Sequence, residues 1–287
     1  MEVEVRVPLH VTGFWRPVYR ENPLYTGSIG SGVNIHPKLV VRAKAFNKKA
    51  FYLNNKAVEV DSVNYVLAKT PCNVLVNAYT SAPLGAGYGL SGGLALGTSI
   101  AASIICREEI TLENAAAKAH IADVVAKTGL GDVIAEYYGG LEIRVKPGAP
   151  GIGSIVKIPV DPSIRVVTIV LGLGSTPSML SRYPADLSRL AESFVDRILS
   201  KPSLETFIEL SQIFTRKFFD YTMVDKLVAP VKNMVLGYYV KKGVAVFFVD
   251  RDRASDLIEY FRKNSLTVIH GRIDYSGVEI VDTPRSS

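Results

Sequence analysis

Cysteine is almost missing from this chain: Cys72 and Cys106 are the only two among 287 residues. They form no CxxC pair, and a disulfide framework or a zinc site needs more such ligands, so a reducing cytoplasm is the expected home. Also missing is any run of the roughly 18 to 20 apolar residues that a membrane-spanning helix requires. The first residues alternate like a strand where a signal peptide would carry a basic and then an apolar region. A soluble protein that is not exported is the expectation. No repeat of about 20 to 50 residues and no low-complexity tail is visible.

An excess of acid is absent too. The 33 basic and 27 acidic residues leave a net charge of +6, which favours anionic ligands through long-range steering without identifying one. One basic stretch, Arg42, Lys44, Lys48 and Lys49 with Phe46 and Phe51 between them, has the pattern of a nucleic-acid groove. Its plainer reading is a strand with its charges in water, leading into a hairpin in which residues 50–53 and 56–60 flank Asn54 and Asn55.

What is present is a globular composition, 48% apolar and 21% charged, at a length that suits two packed lobes or one large α/β domain. Strands alternate with glycine-rich connections, of which Thr26 to Gly32 reads as a loop. A strand from Asn73 to Tyr79 enters a second glycine-rich stretch, and helices follow from Ser91 to about Cys106 and from about Glu113 to Lys127, the latter capped by Thr111. After a strand at Leu141 to Lys146, the proline- and glycine-rich segment from Pro147 to Gly153 and a strand at Ile155 to Val160 place a seam near residue 160, dividing the chain into lobes 1–160 and 161–287. Beyond it the order predicts a strand at Arg165 to Leu171 and a helix whose apolar residues Leu187, Leu190, Ala191, Phe194, Val195, Ile198 and Leu199 keep a 3.6-residue period. A helix near 204–219, strands at 235–240 and 244–249, a helix near 254–263 and a last strand pair complete an α+β ordering.

The sharpest chemical feature is the segment Pro83, Leu84, Gly85, Ala86, Gly87, Tyr88, Gly89, Leu90, Ser91, Gly92, Gly93, set between a strand and a helix. Glycines let successive N–H groups turn toward one point, and the positive end of the following helix suits a phosphate. Ser91, in the first turn, can ligate a Mg²⁺ that bridges phosphate oxygens. A tight glycine turn packed on a sheet would look similar. The segment satisfies neither GxxxxGKS/T nor GxGxxG, where Leu90 stands at the third glycine.

The loop resembles the PxxxGLGSSA signature of the GHMP kinases: Pro83, Gly87, Gly89 and Ser91 match, while Tyr88, Leu90 and Gly92 depart. Asp132, seven residues before the pair Gly139-Gly140, is similar to that family's catalytic aspartate segment. A carboxylate there could take or orient the proton of an acceptor hydroxyl, although an aspartate ahead of Val133-Ile134-Ala135 would also serve as a helix N-cap. Further segments, Pro8 to Trp15, Asn22 to Gly32, Thr128 to Val133, and Gly139 to Arg144 with Pro147 to Gly151, resemble the archaeal pantoate kinase branch of the superfamily. The second half matches only in general pattern. A late glycine-rich loop of the family is not recognisable, Met234 to Gly237 being the nearest candidate.

The resemblance implies a two-lobed GHMP-kinase fold of α+β class, with an N-terminal ribosomal-protein-like αβ lobe and a C-terminal ferredoxin-like αβ lobe. It implies an ATP-dependent kinase that phosphorylates the primary hydroxyl of pantoate, with ATP and Mg²⁺ as cofactors. Its partners would be small molecules, without nucleic acid or membrane, and a homodimer is compatible with it. The phosphate loop Pro83, Gly85, Ala86, Gly87, Tyr88, Gly89, Leu90, Ser91 and Gly92 would hold the nucleotide, and Ser91 with Asp123 the metal. Asp123 also reads as an ordinary helix acid, since nine residues to Asp132 is a short separation for the family. For the acceptor carboxylate the candidates are Arg144, then Ser28 and the N–H groups of the Thr26 to Gly32 loop, then His10. Each has an ordinary reading as a strand or turn residue, as does His120 as a structural histidine. A kinase of another small hydroxylated metabolite, mevalonate- or homoserine-like, and a GHMP-fold protein that binds without catalysis are the alternatives.

Overall fold

The computed structural model describes residues 1–174, 176–181 and 183–281. The first half runs β1 (Glu2–Val18), β2 (Gly27–Ala45), β3 (Ala50–Leu53), β4 (Lys56–Ala57), α1 (Asp61–Lys69), β5 (Val74–Tyr79), α2 (Leu90–Ile105), α3 (Leu112–Val125), α4 (Asp132–Tyr138), β6 (Leu141–Lys146) and β7 (Ser154–Ile158). The second runs β8 (Ile164–Val170), α5 (Thr176–Ser181), α6 (Ala185–Ser200), α7 (Leu204–Arg216), α8 (Thr222–Val228), β9 (Gly237–Lys241), β10 (Val244–Asp250), α9 (Arg251–Lys263), β11 (Val268–Gly271) and β12 (Glu279–Val281). No helix among the described residues is long and apolar enough to cross a membrane.

An eight-stranded sheet in the order β12-β1-β2-β5-β3-β4 forks at β2, whose first half pairs with β6 and whose second half pairs with β5. The fork corrects one expectation: Thr26 to Gly32 is not a free loop. Residues 27–32 belong to β2, with Gly30 opposite both Trp15 and Arg144 and Gly32 opposite both Thr12 and Glu142. Backbone amides paired on both sides are spent on the ladder and cannot also receive a ligand. The Asn54-Asn55 hairpin is present, both residues having the positive φ, 49° and 64°, that a tight two-residue turn demands.

Helix α2 is apolar on nearly every side and lies in the middle of the first layer against β1 and β2. Gly97 permits the approach, because a Cβ there would sit 2.5 Å from Val41 Cγ2. On the other face of β1, α6 and α7 cover Phe14 and Trp15. Phe14 meets Phe194 edge-on at 5.7 Å, and Trp15 meets Phe214 at 5.0 Å. The periodic stripe of α6 is buried at Leu187, Ala191, Phe194, Val195 and Ile198, whereas Leu199 is exposed.

The second sheet is antiparallel in the order β11-β8-β10-β9. It packs on α7 through Phe207 against Tyr239 and Phe248, and on α9 through Phe247 against Phe261. The expected last strand pair is not a pair. β11 joins β8 in the second sheet, and β12 returns to β1 in the first, drawn there by Asp274, whose carboxylate pairs with His36 and Lys38 of β2.

The cysteines also overturn their expectation. Cys72 and Cys106 form a disulfide across 34 positions, enclosing β5, the glycine-rich loop and α2. Two cysteines suffice because the fold brings the start of β5 and the end of α2 together, which spacing alone does not reveal. Closing a loop of this length removes about 4 kcal/mol of unfolded-state entropy in the chain-entropy model. Cys106→Ser is therefore expected to lower unfolding free energy by a few kcal/mol, read as an earlier denaturant midpoint under oxidising conditions; an unchanged midpoint would refute it.

Part of the basic stretch is engaged within the fold. Arg42 pairs with Glu4, the Lys49 ammonium donates to the Thr70 carbonyl, and Phe51 is buried.

Candidate active site

The glycine-rich loop joins β5 to α2 and is held from both halves of the chain. Gly243 N donates to Ala86 O at 2.9 Å, and Gly174 N donates to Gly85 O at 3.0 Å. The Tyr88 hydroxyl reaches Thr168 Oγ1 at 2.8 Å, and His10 N donates to Tyr88 O. Gly89 is the residue before α2 and has φ of 72°. A Cβ there would lie 2.4 Å from Glu136 Oε1, so both backbone conformation and space call for glycine.

In front of the loop opens a cleft of about 700 Å³, part of it solvent. Of the predicted phosphate-loop set, Gly85, Gly87, Tyr88, Gly89, Leu90 and Ser91 line it, whereas Pro83, Ala86 and Gly92 do not. Asp132 lines the same cleft from the first turn of α4. The N-cap there is Gly131, without a side-chain bond, so Asp132 is not spent as a cap.

Behind Asp132 lies a buried chain of polar groups. His10 Nδ1 donates to Asp132 Oδ1 at 2.8 Å, and His10 Nε2 lies 3.1 Å from Glu142 Oε1. Arg144 pairs through Nη1 with that same oxygen, and its Nε donates to Ser28 Oγ at 3.3 Å. Strand register explains the cluster: His10 on β1, Ser28 on β2, and Glu142 and Arg144 two apart on β6 share one face. Gly32 leaves the room, since a Cβ there would be 2.3 Å from His10 Nε2.

Burial would raise the Asp132 carboxyl, but Lys241, the His10 hydrogen bond and Arg144 overcome it and hold it well below the usual carboxylate range. Asp123 goes the other way. Burial and the Asp132 charge push it up to about 7 although Thr128 donates to its Oδ1 at 2.5 Å. The two carboxylates face each other across Gly129, where a Cβ would meet Asp123 Oδ2 at 2.1 Å and Asp132 Oδ2 at 2.8 Å. Glu136, on α4, is buried with both oxygens unpartnered among the described residues, and burial together with Asp132 and Asp123 raises it strongly.

Of the four acceptor candidates only Ser28 lines the cleft. Arg144 and His10 are buried behind it, and Thr26 lies elsewhere, its hydroxyl exchanging hydrogen bonds with the Arg20 backbone. His120 Nε2 bonds the Thr26 carbonyl at 2.9 Å. Sequence reasoning missed Glu142, Lys241 and Lys242. The two lysines come from the β9–β10 hairpin of the second half, which abuts the phosphate loop: a Cβ on Gly87 would lie 3.0 Å from Lys241 O. The single-glycine candidate Gly237 instead packs on Ile208 of α7. The only signal for this hairpin was the lysine pair before Gly243, and nothing in its spacing says which loop it meets.

A family model described as the GHMP kinases N terminal domain matches residues 54–140, the span holding the phosphate loop, Asp123 and Asp132. The fold is that of a GHMP kinase. Among solved structures, a phosphotransferase related to the CoA biosynthesis pathway superposes with a TM-score of 0.86 at 26% identity, covering 98% of this chain and 99% of that one. Mevalonate-3-kinase from Thermoplasma acidophilum, at 13% identity and a TM-score of 0.70 over 99% of both chains, shares the fold. The chain is 37% identical over 215 residues to the pantoate kinase of Methanocaldococcus jannaschii, covering 72% of this chain and 77% of that protein. It is 34% identical to the pantoate kinase of Thermococcus kodakarensis, covering 76% of each. The chain belongs to the pantoate kinase family.

Proposed function

We propose that the protein transfers the γ-phosphoryl group of ATP to the primary hydroxyl of pantoate, giving 4-phosphopantoate and ADP. The observation that carries this is the meeting of the α2 phosphate loop with Asp132 in one cleft, in a chain of this family. The acceptor oxygen bonds to the γ-phosphorus as the bond to the β,γ-bridging oxygen breaks, ADP leaves with the electron pair, and the hydroxyl proton passes to Asp132. A carboxylate held well below its usual range is a weak proton acceptor, so Asp132 orients the hydroxyl first and receives the proton as the new bond forms. The N–H groups at the start of α2 hold the phosphates.

Ser91 and Asp123 would hold Mg²⁺. The fit rests on Asp123: its Oδ2 lies 3.3 Å from a Cβ placed on Gly92, beside Ser91, while Thr128 engages the other oxygen. Burial and a second carboxylate disfavour its ionised form, which a divalent cation would restore. When bound, the metal neutralises charge on the β- and γ-phosphates. The described residues contain no cluster of three acidic or histidine ligands, a composition that suits a metal held largely by phosphate and water.

Ser28 Oγ would meet the acceptor carboxylate, with Arg144 behind it supplying the compensating charge. His10 supports this wall through its bond to Asp132. Use of ATP favours a cytoplasmic enzyme, and intracellular disulfides have precedent among hyperthermophile proteins. The lobe division near residue 160, small-molecule partners without nucleic acid or membrane, and a homodimer complete the reading, the last tested by sedimentation.

The deciding assay offers pantoate, mevalonate, homoserine and shikimate separately with Mg-ATP and measures ADP. Turnover with pantoate alone is expected. Turnover with another acceptor would discard the substrate, and silence with all four would favour a binding protein.

A further inference from the structure

The second half of the chain delivers a cation that the mechanism above uses only to hold the Asp132 carboxyl low. Lys241 ends β9, is only 7% exposed, and lines the cleft shared by the phosphate loop and Asp132. Among the described residues no hydrogen bond or ion pair engages its Nζ. That nitrogen stands 5.7 Å from the Trp15 ring centre. The neighbouring Lys242 is already occupied, donating to Thr176 Oγ1 at 2.9 Å.

A buried ammonium without a hydrogen-bonded partner is costly unless an anion reaches it. The nearest anionic groups, Asp132 and Glu136 on α4 and Glu142 on β6, act on Lys241 through their field, with Arg144 opposing them. Its position is rigid: the strand end is closed by the Lys241–Val244 pairing, and the adjoining Gly243 N bonds the phosphate loop at Ala86 O. With its backbone fixed and its ammonium over the Trp15 ring, Lys241 is pre-organised for negative charge arriving between the loop and Asp132.

We infer that Lys241 is a catalytic residue: its ammonium contacts the phosphoryl group in transfer and stabilises the charge that spreads over its oxygens. The second half thereby completes a site whose loop and carboxylates all come from the first. The inference rests on the phosphotransfer reading above. It assigns the ammonium to the transferring group and not to nucleotide affinity, which the backbone of the loop supplies.

The test is Lys241→Met, which keeps the aliphatic stem and removes the charge. The expected result is a fall in kcat of about a hundredfold to a thousandfold, with Mg-ATP affinity by titration calorimetry within about threefold of wild type. Lys241→Ala should regain activity with added propylamine and not with 1-propanol. If Lys241→Met melts early, Lys241→Arg with a wild-type melting temperature serves instead, and should retain more activity than Lys241→Ala. Wild-type turnover with Lys241→Met within threefold of it would overturn the inference alone. So would a drop in kcat matched by lost nucleotide affinity and unresponsive to the amine. Silence of the wild type with every acceptor would overturn the phosphotransfer reading and the inference together.

Discussion

Asp132→Ala should lower kcat by about a thousandfold while leaving Mg-ATP affinity near that of the wild type. The loss is that of a positioned proton acceptor, commonly 10²–10⁴-fold. The nucleotide should be unaffected because the proposed site sets its phosphates against the backbone of Gly87 to Ser91 and the start of α2, to which the Asp132 side chain contributes nothing. Stability should survive. The substitution strands the His10 hydrogen bond, but it also removes a like charge that raises both Asp123 and Glu136. The Asp123 carboxyl, pushed up to about 7 by burial and that charge, should then titrate lower, a shift that carboxyl-carbon NMR would detect. Asp132→Asn separates shape from charge: it preserves the contact with His10 and should be nearly as inactive. A kcat within tenfold of wild type for either variant would remove Asp132 from the reaction.

Arg144→Ala should act on two measurements at once. The guanidinium is almost fully buried and answers Glu142, which is fully buried as well. Removing one member of such a pair leaves the other charge uncompensated, typically at a cost of about 3–5 kcal/mol. The same substitution removes the positive charge behind Ser28, so KM for pantoate should rise far more than KM for ATP. The companion Arg144→Ala/Glu142→Gln tells the two effects apart. Neutralising Glu142 should restore much of the stability and none of the affinity for pantoate. Equal changes in both Michaelis constants would take Arg144 out of the acceptor site, and recovery of pantoate affinity in the double variant would make its role structural.

Much of the architecture was legible wherever a local pattern carried it. The period of α6, the Thr111 cap of α3, which accepts from Asn114 N, and the Asn54-Asn55 turn are each decided by neighbours a few residues apart. Helices α1 and α8 leave no such pattern in the sequence. Each is short, and their buried sets, Val63, Val66 and Leu67 in one and Val224 and Val228 in the other, give too few turns for a period to emerge. By its composition the Thr26 to Gly32 segment is predicted to be a loop because glycine is a poor strand former. It is a strand because Gly30 and Gly32 are where β1 and β6 both press against β2, and Gly32 is where His10 and Glu142 must meet.

The phosphate loop and Asp132 were visible because each is a contiguous motif: glycine placement dictates which backbone conformations are open, and a carboxylate next to Gly131 has few ordinary uses. The sequence by itself determined these parts, the α+β order and the family. What tertiary structure alone decided is which distant groups confront them. His10 and Asp132 are 122 positions apart, Cys72 and Cys106 meet across α2, and Lys241 enters on a hairpin from the other sheet. Electrostatics at a buried site falls off with distance in space and is indifferent to distance along the chain. The low titration of Asp132, and beside it an ammonium without a hydrogen-bonded partner among the described residues, therefore exist only once the two halves have packed.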